Sequence, residues 1–224
     1  VMRAFWSCLQ RKLLARRNFD FFEYPGIEWR VDAAETDTQD ESVLLGFWVF
    51  MMSDAILFAM AFATYATMVP MGYAGGPQPR ELFQLGPIFA ETLLLLASSF
   101  TMGLASIALK YCQPVRRLVG WLVLTLVLGA AFLALEWRDF SAMFAAGALP
   151  TRSGYLSSFF GLVPLHGLHV LAGCIWLACM LVQISMYGVD RRCALALMRL
   201  ALFWHFLGIV WIFIYSVVYL GGLA

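Results

Sequence analysis

The stretch Leu162-Val163-Pro164-Leu165-His166-Gly167-Leu168-His169-Val170-Leu171-Ala172-Gly173 sets two histidines three residues apart inside an apolar run. The chain holds only one other histidine, His205, which also sits among apolar residues, in Phe203-Trp204-His205-Phe206. The run around the first pair, about residues 155–187, exceeds the roughly 20 apolar residues that cross a bilayer. An imidazole at membrane depth is costly, so each of the three needs a physical reason.

Working outward, four more apolar segments flank this one: about 43–69, 87–109, 118–137 and 196–220. The whole chain is 62% hydrophobic and 13% charged. Soluble domains lie nearer half apolar and a quarter charged, so the pattern predicts an all-α polytopic membrane protein, a five-helix bundle over 43–224. The intervening linkers are short and make consecutive helices antiparallel. Residues 1–42 form a polar head. Its basic first part carries Phe5, Trp6, Leu9, Leu13 and Leu14 at helical spacing, which suits either a helix lying on an anionic surface or a disordered tail. Its second part, from Asp32 to Glu41, is acidic and expected to be solvated.

Lys and Arg placement orients the bundle. With the N-terminus in the cytoplasm, twelve of the fifteen basic residues fall inside, and only Arg80, Arg138 and Arg152 fall outside. That split requires an odd number of spans and puts the C-terminus on the periplasmic side. Net charge is +1, and no nucleic-acid partner is expected. Cys8, Cys112, Cys174, Cys179 and Cys193 form no CxxC pair, so neither a disulfide nor a zinc framework is expected.

The ionisable residues within the spans are Asp54, Glu91, Glu136, His166, His169 and His205. At about 1.5 Å of rise per residue, Asp54 and the three histidines reach one level, whereas Glu91 and Glu136 belong near the outer surface. Three readings of this set stay open from the residues alone. The i, i+3 histidines could chelate a metal with Asp54 and His205, although no HExxH base accompanies them, or His166 and His205 could ligate a haem. Asp54 and the histidines could relay protons or act as a pH switch, with Glu91 and Glu136 extending the relay at the outer side. Or they could hydrogen-bond helices together where small residues permit close approach: Ala55, Ala59, Ala63 and Thr67 on the first helix, and Ala97, Thr101 and Ala105 on the second. Pro164 should kink the fourth helix. Trp137 and Tyr155 stand at interface depths, as anchors.

The frame around these residues resembles a known family. Gly46-Phe47-Trp48 with Met52-Ser53-Asp54, Glu91-Thr92-Leu93-Leu94-Leu95 with Ser98-Ser99, Leu135-Glu136-Trp137, Arg152-Ser153-Gly154-Tyr155, His166-Gly167-Leu168-His169-Val170 and Phe203-Trp204-His205-Phe206 occur in the order found in subunit III of the haem-copper oxidases. The similarity covers about residues 43–224 and is greatest to the quinol-oxidising, cytochrome o (bo-type) branch. Cytochrome c oxidase forms often add two N-terminal helices and carry glutamate where Asp54 stands. The chain departs from the family pattern at Pro164-Leu165, where Gly-Thr is common, and at Gly208, where aspartate is common.

The resemblance implies an accessory subunit III of a ubiquinol oxidase in a bacterial inner membrane, with no catalytic, cofactor-binding or metal-ligating residue of its own. Haem b, haem o and copper would lie in subunit I. Subunits I, II and IV and phospholipid would be its partners, and ubiquinol the substrate of the complex. Asp54 stands where the family places its intramembrane carboxylate, and Glu136, His166, His169 and His205 match its other buried polar positions. A subunit III of a cytochrome c oxidase is the nearest alternative. A stand-alone bis-histidine haem protein or a small transporter are alternatives of another class.

Overall fold

The computed structural model describes residues 33–69, 85–111, 113–145, 147, 151 and 153–223. The basic part of the head lies outside the described residues, so the amphipathic helix expected there does too. Five long helices follow one another: α1 (Ala33–Met68), α2 (Leu85–Lys110), α3 (Val115–Ala145), α4 (Gly154–Tyr187) and α5 (Arg191–Ile214). Six residues of π-helix (Tyr215–Leu220) and a final turn (Gly221–Leu223) continue α5. Each of the five is long and apolar enough to cross a membrane, and the described residues contain no strand.

Local chemistry sets the helix ends. Ser153 precedes α4 in extended conformation, and its Oγ accepts the Leu156 N–H at 3.1 Å, which satisfies one of the free donors of the first turn. Gly188 closes α4 with φ 77°, a conformation open to glycine at no steric cost. α4 runs unbroken through Pro164. α1 begins at Ala33, so the acidic stretch from Ala33 onward continues the helix rather than preceding it. α3 continues to Ala145, well past the apolar limit near Trp137.

α2, α3, α4 and α5 form the core. α2 packs on α3 and α5, α3 on α4, and α4 on α5, while α1 lies against α4 and α5. The burial pattern reflects this. α5 contributes Phe203, Trp204, Leu207, Val210, Trp211 and Ile214 to the interior. Among its residues whose burial is described, α1 contributes Met51, Phe58 and Tyr65, spaced seven apart along one narrow stripe. The small residues expected to pack α1 are not on that stripe: Ala59, Ala63 and Thr67 are exposed, because Phe58 and Tyr65 provide the contact surface. On α2, Thr101 and Ala105 are buried and Ala97 is not.

Between helices the polar contacts come from small hydroxyls and indoles. Trp204 Nε1 donates to Ser98 Oγ (3.0 Å) and Trp211 Nε1 to Thr92 Oγ1 (3.1 Å), both joining α5 to α2. Thr101 and Thr125 hydroxyls meet at 2.7 Å between α2 and α3.

Candidate functional site: the polar residues of the membrane interior

The six candidate residues occupy four separate places. Asp54 projects from the buried stripe of α1, three residues after Met51 and four before Phe58, which sets it on the face toward α4. Its Oδ2 stands 3.8 Å from His169 Nε2, beyond hydrogen-bond length. The two make a close approach rather than a hydrogen bond. His169 Nδ1 lies 2.7 Å from the Leu165 carbonyl one turn back. A carbonyl only accepts, so Nδ1 carries the proton and donates it.

His166 is wholly enclosed. Its Nε2 donates to the Leu207 carbonyl of α5 at 3.1 Å. The ring lies 5.1 Å from Trp211 and meets Phe132 edge-on at 6.0 Å, centroid to centroid. This locks α4 to α5 through an aromatic box. Phe58 joins it from α1, 5.1 Å from the His169 ring.

His205 on α5 meets α2 instead. Its Nδ1 lies 2.7 Å from Ser99 Oγ on α2. Gly208, one turn on, faces the same serine, whose Oγ a Cβ there would meet at 3.8 Å. The common depth read from the sequence holds Asp54 near His169 but leaves His205 with α2.

Glu91 and Glu136 are enclosed by the neighbouring helices, only 2% and 6% exposed. α3 continues nine residues beyond Glu136, about 13 Å of further helix. The Glu136 carboxyl rests on Gly167, where a Cβ would stand 2.6 Å from Oε2 and 2.8 Å from Oε1. The glycine between the two histidines of the opening stretch thus seats a carboxyl from α3.

Among the described residues no three His, Cys, Asp or Glu side chains come together as a metal-holding group. Tyr155, expected as an interface anchor, is 1% exposed because its hydroxyl meets that of Tyr65 at 3.5 Å. Trp137 is 76% exposed. Beside it, an open apolar groove of about 470 Å³ runs between α3 and α4, lined by Trp137, Phe140, Phe144, Phe160 and Pro164 among others. The sequence reading missed Gly129, Tyr65 and Tyr219 as organising residues. A glycine inside an apolar helix is the only mark Gly129 carries, and nothing in the chain pairs it with Trp204.

Comparison with known proteins adds to this geometry. The family model described as cytochrome c oxidase subunit III matches residues 22–223. A cytochrome bo(3) ubiquinol oxidase subunit 3 of Pseudomonas putida is 46% identical over 182 residues, 81% of this chain and 87% of that protein. A protein of the same description from Buchnera aphidicola is 42% identical, over 81% of this chain and 92% of its own length. A probable quinol oxidase subunit 3 of Staphylococcus aureus is 38% identical, over 80% and 89%.

Proposed function

This chain belongs to the cytochrome c oxidase subunit III family, and we propose that it serves there as subunit III of a ubiquinol-oxidising terminal oxidase. The observation that carries the reading is its 46% identity, over four fifths of its length, to a cytochrome bo(3) ubiquinol oxidase subunit 3. The relatives from Buchnera aphidicola and Staphylococcus aureus are likewise described as subunits of quinol oxidases. Ubiquinol is the electron donor on this reading, and cytochrome c is the alternative.

The chain's part in the complex is structural. Its polar side chains are spent on helix contacts: His166 on Leu207, His205 on Ser99, Trp204 on Ser98 and Trp211 on Thr92. Haem b, haem o and copper belong to subunit I, against which this chain packs, with subunits II and IV completing the assembly. Phospholipid fits the apolar groove beside Trp137, since acyl chains match its lining. The bundle lies in the bacterial inner membrane with its N-terminus in the cytoplasm, as the basic residues favour.

The test is to tag the chain in its own host and purify what accompanies it. Co-purification with a haem- and copper-bearing chain, and oxygen consumption driven by ubiquinol, is the expected result. Turnover with reduced cytochrome c but not with ubiquinol would replace the donor. A haem absorption band from this chain alone, lost on substituting His166 or His205, would overturn the accessory role.

A further inference from the structure

Two carboxyls, one on α2 and one on α3, are buried with one oxygen each left unpartnered. Glu91 and Glu136 are each more than nine-tenths buried, and Oε1 of each has no hydrogen-bond partner. The Glu136 carboxyl is pressed onto the backbone of Gly167. The two carboxyls lie within electrostatic reach of each other, and both within reach of the buried Tyr219. Tyr219 stands on the π-helical segment, and such segments occur often at functional sites.

The groups facing this pair come from every packed element. α3 brings Arg138 and Asp139, and the extension of α5 brings Tyr219, which in turn neighbours Tyr155 of α4. Arg138, the one cation among them, turns outward: it pairs with Asp139 at 3.2 Å and its side chain is 61% exposed. Neither glutamate forms an ion pair among the described residues. Two ionised carboxylates in such surroundings would repel each other, each without the water that normally solvates it. A proton on one of them removes a charge and with it that repulsion. Asp139 lies three residues beyond Glu136 on the same helix face, and its side chain is 23% exposed.

We propose that Glu91 and Glu136 form a proton-binding site that holds one exchangeable proton between them and trades it with water on the Asp139 side. The site takes its proton from water and returns it there; no other reactant is involved. The proposal does not rest on which donor the oxidase uses.

Infrared spectroscopy of the purified complex at neutral pH tests this. The wild-type protein should show a protonated-carboxyl C=O stretch that moves in D2O. The double variant E91Q/E136Q, close in shape, should lack that band, and E136D should shift it, since a shorter side chain withdraws the carboxyl from Gly167. A double variant whose band matches wild type overturns the site, and so does a wild type in which both groups are ionised. Asp139→Asn keeps both glutamates and gives an arm independent of their removal: hydrogen–deuterium exchange of the band should slow several-fold, and an unchanged rate overturns the Asp139 route.

Discussion

The indole of Trp204 on α5 lies on the backbone of Gly129 on α3: a Cβ at Gly129 would stand 2.9 Å from ring atom Cζ2. The same ring touches Gly173 of α4, where a Cβ would stand 3.1 Å away, and its N–H is given to Ser98 of α2. One side chain therefore joins α5 to the three other core helices. Inside a membrane, lipid tails are as apolar as leucine, so close packing and hydrogen bonds hold helices together. Two glycines provide the packing surface for Trp204, and Ser98 provides the bond.

Gly129→Ala should therefore be costly. The added methyl meets a rigid ring and Cys174 Sγ, 3.1 Å away, so neither neighbour can yield without moving a helix. Overpacking of this kind costs about 1–3 kcal/mol, read as a lower Tm of the purified protein. Combining it with Trp204→Leu should recover part of the loss, because the two residues share one contact. A double variant whose losses simply add would show that the contact is not the source.

The hydroxyl pair Thr101–Thr125 should behave in the opposite way. Each hydroxyl has a second partner on its own helix: Thr101 the Ser98 carbonyl at 2.9 Å, Thr125 the Trp121 carbonyl at 2.9 Å. Removing one hydroxyl leaves the other satisfied. Thr101→Val keeps the shape and should cost less than about 1 kcal/mol, near the average for hydrogen bonds between membrane helices. A loss comparable to that of Gly129→Ala would mean that the two hydroxyls act as a unit.

These contrasts show what the sequence carries. Span count and helix order are legible because apolar runs of about 20 residues have one physical solution in a bilayer. The six ionisable residues of the interior are legible because charge in such runs is rare. Their grouping is not. His166 and His205 lie at one depth, but which neighbour each meets depends on helix rotation, which no single helix encodes when most of its faces are apolar. Ala59, Ala63 and Thr67 mislead for the same reason: small residues mark a close approach, and in α1 that face is turned away from the bundle. The burial of Glu91 and Glu136 escapes for the same reason: Trp137, next to Glu136 in the chain, is 76% exposed, so the facing of each residue decides.

His166→Leu and His205→Leu separate the two kinds of buried imidazole. His166 is fully enclosed and gives its proton to Leu207, so replacement loses a bond in a water-free core and part of the contact with Phe132 and Trp211. A cost of about 1–3 kcal/mol follows. His205 is only partly buried and contacts a serine; Ser99 can turn its hydroxyl to its own helix, as buried serines do, so about 1 kcal/mol or less is expected. Thermal unfolding of the two variants in one detergent gives the ranking, and equal losses would contradict it.

The contact of α1 with α4 rests on a narrow stripe, and Asp54 is its polar member. His169 has its proton on Nδ1, committed to Leu165, so a neutral ring turns a lone pair toward Asp54. An ionised Asp54 would then set lone pair against lone pair across 3.8 Å. One proton between them, on the carboxyl or on Nε2, converts that opposition into attraction. Asn at position 54 supplies an N–H donor in the same place without any ionisation. Asp54→Asn should therefore keep wild-type stability within about 0.5 kcal/mol, whereas Asp54→Ala should lose about 0.5–2 kcal/mol. Equal loss from both variants would place the value of Asp54 in its charge, and a harmless Asp54→Ala would leave Met51, Phe58 and Tyr65 as the whole attachment of α1. Thermal stability and co-purification yield of the two variants distinguish these outcomes.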